Sequence, residues 1–372
     1  MKMKVRCCND SPSFFDERLV REQRTMSNVP VFVGLDYHQD SIQVCVLNQQ
    51  GAVLMNRSAP NNAQQLGRIV QPLGVVQRVA IEACCGAADL GEELVEQLGW
   101  NVSLGHPAYI AKIKSSPDKT DYSDGRLLAD LTRVGYLPRV WLAPAKIREL
   151  RQLVNHRQRL VDRGRAIKLQ VGGILREQRV KIPSGRGSRW SKSWIASARD
   201  NQRLSEHARW IVNDLLDDLT YTDGKIARTQ RQLRQATSGD QVIIKLKEQQ
   251  GIGDVTAWVL RAYVGDFSRF KTAKQLARYC GMSPCNASSG KRQADAGLID
   301  GCNKLLRLTV VQAAHRLIRT CQRWSDLAES MRARGKPACV IVGAVGNRWL
   351  RNLHHAMKMD AKQTDKKGAN SN

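Results

Sequence analysis

The chain has 372 residues, enough for two or three domains with cores of their own, and its 59 Lys and Arg against 34 acids leave a formal net charge of +25. An excess of that size calls for a polyanionic partner, nucleic acid ahead of an anionic membrane surface. No apolar run approaches the roughly 18 residues that a bilayer span needs, and the first thirty residues lack the apolar core of a signal peptide. Residues 1–30 therefore read as a dispensable extension, with Met26 an alternative start. The ten cysteines follow no metal-ligand spacing, and outside the adjacent pairs Cys7-Cys8 and Cys84-Cys85 they are scattered. They read as reduced thiols of a cytoplasmic protein. Cys84 and Cys85 lie beside Glu82, but small buried cysteines are a more ordinary use than thiol catalysis.

In chain order, residues 31–36 predict a strand, and 41–47 a second with Ile42, Val44 and Val46 in period two. After the turn Asn48-Gln49-Gln50-Gly51 a third strand is expected over 52–56. A helix follows over 61–73, which Pro72 must end. A fourth strand closes at Glu82, a second helix covers 86–98, and a last strand takes 101–104. Three strands, then helix, strand, helix, strand is the order of a ribonuclease-H-like sheet, in which the first and fourth strands lie side by side. The α/β region is expected to occupy 31–145.

Over 146–181, Leu153, Leu160, Ile167 and Ile174 recur every seven residues, a coiled-coil-like stripe. A second seam, Leu150, Arg157, Gly164 and Val171, is broken in its middle. Eleven Lys and Arg face three acids in that span, giving either a solvated basic face or a nucleic-acid contact. Residues 183–188 read as a loop, and beyond it Trp190 and Trp194 lie four apart among Arg189, Lys192 and Arg199. Aromatics among cations suit stacking on unpaired bases, although helix packing is the commoner use. Helical spacing resumes over 201–236. The basic helical middle is assigned to 146–240, a mainly α C-terminal domain to 241–359, and a polar, disordered tail to 360–372.

Two patterns in the C-terminal part bear on chemistry. Residues 246–257, centred on Gly251-Ile252-Gly253, resemble a helix-hairpin-helix, in which Gly251 and Gly253 would let the turn approach a phosphate. Ser288-Ser289-Gly290 sits beside Lys291 and Arg292, so a serine could act as nucleophile while the cations stabilise phosphoryl charge. An ordinary helix turn and a plain loop are the bland alternatives.

The acids carry more information. Asp36 and Glu82 each sit where a short strand hands over to a loop, the usual place for chemistry in open α/β sheets. Asp121 and Asp124 are three apart at a helix start and so share one face. Four carboxylates in one place repel each other unless divalent cations sit among them, as in two-metal phosphoryl-transfer sites; spacing alone is equally compatible with four unrelated surface acids.

The stretches Val33-Gly34-Leu35-Asp36, Ile81-Glu82-Ala83-Cys84 and Lys119-Thr120-Asp121-Tyr122-Ser123-Asp124 resemble the DEDD transposases of insertion sequences, bridge-RNA-guided recombinases with a RuvC-like first domain. So do Gly251-Ile252-Gly253, Gly281-Met282-Ser283-Pro284, Ser288-Ser289-Gly290-Lys291 and Asn303-Lys304-Leu305-Leu306-Arg307. The resemblance covers about 31–357. It implies that Asp36, Glu82, Asp121 and Asp124 hold Mg²⁺ (or Mn²⁺) against the scissile phosphate. It also implies that Ser289, with Ser288 the alternative, becomes linked to DNA. The partners implied are element ends and target DNA, a noncoding guide RNA, and further copies of the chain as dimer or tetramer, in the bacterial cytoplasm or nucleoid and away from membranes. Two departures stand out. Asp300-Gly301-Cys302-Asn303 replaces a basic residue followed by Gly-Asn, and Gly125 follows Asp124 where a better helix former would be expected, so that helix could begin loosely. The rival reading is a RuvC-like metal-dependent nuclease that cuts branched nucleic acid by hydrolysis with the same acids. A non-catalytic nucleic-acid-binding protein with relict acids is the third.

Overall fold

The computed structural model describes residues 28–114, 120–182, 189–286 and 295–369. Ser288, Ser289, Lys291 and Arg292 lie outside the described residues, as does nearly all of the expected N-terminal extension. The chain divides after Ala145 into two compact units.

The first unit is built on a six-stranded sheet in the order β3-β2-β1-β4-β5-β6. Its strands are β1 (Pro30–Tyr37), β2 (Ser41–Asn48), β3 (Val53–Pro60), β4 (Val75–Glu82), β5 (Val102–Gly105) and β6 (Arg139–Val140). β1 pairs antiparallel with β2 and parallel with β4, β2 with β3 antiparallel, and β4 with β5 parallel. Two helices join β3 to β4 and β4 to β5: α1 (Ala63–Val70) and α2 (Ala87–Leu98). Asn62 caps α1 by accepting from the Gln65 amide at 3.0 Å. Pro72, which has no N–H to give, falls in a 3-10 turn, so α1 stops at Val70, short of the expected end.

Period-two alternation sorts the strands between two faces. Val31, Val33 and Leu35, Ile42, Val44 and Val46, and Val79 and Ile81 pack in one core with Leu66, Val70, Leu90 and Leu94 of α1 and α2. On the opposite face Ala80, Cys45 and Leu47 meet Leu128, Ala129 and Leu131 of α4 (Asp121–Arg133). Each fully buried Leu or Ile of this kind contributes about 1.5–3 kcal/mol. A short helix, α3 (Pro107–Ile113), and the two-residue β6 complete the unit; neither carries enough periodic pattern to be foreseen.

The second unit is helical apart from the hairpin of β7 (Pro284–Asn286) and β8 (Asp295–Leu298). Its helices are α5 (Ala145–Glu177), α6 (Lys192–Arg199), α7 (Glu206–Ala236), α8 (Gln241–Glu248), α9 (Asp254–Val264), α10 (Ala273–Tyr279), α11 (Lys304–Thr320), α12 (Gln322–Ala333) and α13 (Ala338–Ala369). The basic middle and the C-terminal helices, expected as separate regions, form one unit. Leu150 and Val154 of α5 sit in the same core as Leu246, Trp258, Leu317 and Trp349, and the Arg151 Nε donates to the Ala262 carbonyl at 2.6 Å.

The heptad stripe is revised in detail. Leu160 and Ile167 are buried, whereas Leu153 and Ile174 only flank the cores. The buried line runs Leu150, Val154, Leu160, Gly164, Ile167, Val171, Leu175, so it includes most of the seam that looked broken. Gly164 lies on this line facing Leu219 and Thr222 of α7, and a Cβ there would meet both at an ordinary 3.8 Å. Arg163 pairs with Asp218 at 3.0 Å, and Arg157 lies 3.2 Å from the Gln230 amide. The partner of α5 is therefore an antiparallel helix of its own chain. The segment from Asp360 to Ala369, expected as a disordered tail, continues the backbone of α13; its Lys, Gln and Ala are good helix formers and it holds no Pro.

Candidate active site

Parallel pairing of Leu35 with Ile81 brings the next residues, Asp36 and Glu82, to the same end of neighbouring strands. Alternation places both on the face that carries α4, because Leu35 and Ile81 point into the opposite core. The first turn of α4 supplies Asp121 and Asp124. Thr120 fixes that turn with a reciprocal cap: the Ser123 amide donates to the Thr120 hydroxyl at 3.2 Å and the Thr120 amide to Ser123 Oγ at 3.3 Å. Asn56 of β3 donates to the Tyr122 carbonyl at 2.9 Å and ties the turn to the sheet.

α4 can lie this close because position 34 has no side chain. A Cβ on Gly34 would stand 2.1 Å from the Gly125 carbonyl oxygen and 2.4 Å from the Ala129 nitrogen. Gly125 is buried on this contact, packed against Cys45 and Gln43. The expectation that it loosens the helix start is thus corrected: the cap and the sheet hold the turn.

The four acids share one electrostatic field. Burial is the main cause that raises the Asp36 carboxyl above its ordinary value; His38 opposes it, and the charges of Asp124, Asp121 and Glu82 push it further up. His38 Nε2 stands 3.7 Å from Asp36 and 3.5 Å from Asp121. Lys114, just past α3, holds Asp124 in an ion pair. Among the described residues, Asp36, His38 and Asp121 each offer a ligand atom within 4.8 Å of the others, a group able to hold a metal ion. The donor set fits a hard divalent cation: carboxylate oxygens dominate, and such an ion would offset both the burial of Asp36 and the repulsion of its acidic neighbours.

Two members of this cluster, His38 and Lys114, carry no motif in the sequence. His38 follows Asp36 by two residues in a tight turn, where its amide donates to the Ser41 carbonyl at 3.0 Å. That proximity to Asp36 was the one available signal. Cys84 and Cys85 are exposed, not buried, because they fall in the loop past the end of β4. Partial desolvation pushes the Cys84 thiol up, with the Ala87 amide opposing, so it is no ready thiolate.

In the second unit, α8 and α9 flank the Gly251-Ile252-Gly253 turn. Gly251 has φ +85, and a Cβ there would lie 2.7 Å from the Leu317 side chain, so its free side is filled by protein. Only Gly253 faces open space. Asp254 opens α9 and pairs with Lys247 at 2.8 Å and Arg234 at 3.0 Å. A carboxylate therefore already occupies the cationic neighbourhood where a phosphate was expected. Gly281 has φ +73 and lies against Cys302 and Arg307. Arg307 donates to the Ile299 carbonyl, and Asn303 caps α11 by accepting from the Leu306 amide at 2.9 Å. Cys302 and Asn303 of the departing stretch thus brace the Gly281 turn and the start of α11.

A ribonuclease-H-like sheet with acids at two neighbouring strand ends and across the opposing helix turn is a frame for phosphodiester chemistry on nucleic acid. The DEDD transposase model of the IS110 type matches residues 33–179, and that of the transposase IS116/IS110/IS902 family matches residues 245–329. The chain belongs to this family of DNA transposases. It is 26% identical to a probable family 20 transposase of Pseudomonas aeruginosa, over 86% of this chain and 95% of that one. It is 23% identical to the transposase for insertion sequence element IS1111A of Coxiella burnetii, over 82% of each. The transposase for insertion sequence element IS1328 of Yersinia enterocolitica is likewise 23% identical, over 78% of this chain and 84% of that one. Among the described residues no helix is long and apolar enough to cross a membrane.

Proposed function

We propose that this transposase excises and inserts an insertion sequence through a metal-dependent, serine-linked DNA intermediate. The observation that carries the site is geometric: Asp36 and Glu82 end neighbouring parallel strands under the α4 turn that supplies Asp121 and Asp124. Asp36, Asp121 and His38 would hold a first Mg²⁺ or Mn²⁺, with Glu82 and Asp124 completing the anionic wall. Bound there, the ion supplies Lewis-acid stabilisation of charge on the phosphoryl oxygens. The chain's own part is to fix the carboxylates on rigid strand ends and a capped helix turn, so that little reorganisation remains when DNA arrives.

The nucleophile is Ser289, or Ser288, in the segment between β7 and β8. Its oxygen bonds to phosphorus, one P–O bond of the diester breaks, and the hydroxyl proton ends on the leaving oxygen. One phosphodiester replaces another, so the step is nearly isoenergetic and reversible, as rejoining requires. Hydrolysis by the same acids would lack that reversibility. A second subunit would bring its serine loop to the acids, which makes the working form a dimer or tetramer. The +25 charge suits an additional guide RNA beside the DNA ends.

The acid site is tested by cleavage of element-end DNA with Mg²⁺, Mn²⁺ or chelator. Asp36→Asn, Glu82→Gln, Asp121→Asn and Asp124→Asn should each lower the rate by roughly a hundredfold or more. Full activity in any Asp36 or Glu82 variant would remove that residue from the site.

A further inference from the structure

A groove of ≈ 260 Å³ runs between α5 and the turn before α6, lined by Arg165, Lys168, Leu169, Arg176, Arg189 and Trp190. Four of these are cations and none is an acid. Leu169 in its lining is 66% exposed, an apolar surface with no cover among the described residues. Arg165 is drawn to Asp162 at 3.1 Å, an exposed pair that costs little to open. Lys168 and Arg176 have no carboxylate partner among the described residues.

The two tryptophans separate in role. Trp194 is 4% exposed and belongs to the core with Val212 and Leu216. Trp190 packs against that core but keeps part of its ring at the groove, its centroid 4.5 Å from that of Trp194. Arg189 lies 5.3 Å and Lys168 5.8 Å from the Trp190 ring centre. Trp190 also has φ +75, a left-handed conformation that disfavours a bulky residue by about 1–2 kcal/mol. The fold tolerates that strain and keeps an indole under two cations, Arg189 and Lys168, which a stacked base would share the ring with.

We propose that this groove binds an unpaired nucleotide segment, one base stacked on Trp190 and its flanking phosphates on Lys168 and Arg176. Single strands fit better than duplex because a base face must be free to meet the indole, whereas duplex bases are already stacked. RNA and separated DNA strands offer the same chemistry. The assignment rests on the transposase reading and names a surface for its nucleic acid on the second unit.

The test is a fluorescence-anisotropy titration of the full chain with short oligo-U, oligo-dT and a duplex of equal length. Trp190→Leu should weaken the single strands roughly 5- to 100-fold and leave the duplex nearly unchanged, while Trp190→Phe restores most of the loss. Lys168→Gln with Arg176→Gln should flatten the salt dependence by about 1.4 in log–log slope, two phosphates at ~0.7 each. Tighter binding of oligo-U assigns the strand to RNA, and of oligo-dT to DNA; both support the groove. Unchanged single-strand affinity in a folded Trp190→Leu protein, or an equal loss on duplex, overturns it. Failure of the transposase reading looks different: the wild-type chain would then leave element-end DNA uncut whatever stands at position 190.

Discussion

Lys114 and Asp124 form an ion pair inside the acid quartet, beside the contacts of His38 with Asp36 and Asp121, and this pair sets a competition at the site. Both side chains are largely buried, so their attraction is less screened than on the open surface. A divalent ion that uses Asp124 has to share it with Lys114 or displace it. Lys114→Gln should therefore tighten Mn²⁺ binding about tenfold, roughly 1.4 kcal/mol, by calorimetric titration. Equal or weaker binding would mean that Lys114 positions the carboxylate and does not compete for it. Neither His38 nor Lys114 was legible in the sequence as part of the site. Asp36 and Glu82 were, because an apolar period-two run marks where its strand ends. His38 and Lys114 sit on no periodic face, and their place depends on how two loops turn back.

At the level of elements, the contact of α4 with β1 determines whether the acids meet at all. Gly34→Ala drives a methyl group into the Gly125 carbonyl and the Ala129 amide, backbone atoms that cannot rotate away. The expected cost is about 2 kcal/mol or more by urea denaturation, with metal binding weakened as α4 carries Asp121 and Asp124 off the sheet. Wild-type stability and metal affinity in that variant would show that α4 is not the clamp. A second element makes a prediction in pH. The hydrogen bond from Lys247, with Arg234 in support, holds the Asp254 carboxyl below its ordinary value. A depressed folded-state value stabilises the fold above the unfolded carboxyl range and is lost as pH falls below about 4. Asp254→Asn should lower the thermal midpoint at neutral pH by a degree or two, the effect of an exposed pair of ~0.5 kcal/mol. The two proteins should converge in strong acid; a constant offset down to the lowest pH would locate the effect elsewhere.

Across the whole molecule, strand order and the long helices were readable because each repeats its apolar pattern over many residues. The joining of middle and C-terminal helices into one unit was not. It rests on Leu150 and Val154 at the start of α5 entering a core whose other buried members run from Leu233 to Met357. Local periodicity shows that a face is apolar without naming its partner. The heptad stripe illustrates this, since its partner is α7 of the same chain and its seam is shifted to suit. The serines that the mechanism needs lie in sequence between β7 and β8, outside the described residues. The decisive measurement is a search for covalent protein–DNA adducts in cells carrying the native element, comparing wild type with Asp36→Asn, Ser289→Ala and Ser288→Ala. The account predicts an adduct in wild type that disappears with Asp36→Asn and with one of the two serine variants. Metal-dependent cleavage without any adduct, indifferent to both serines, would contradict it and leave a hydrolytic nuclease.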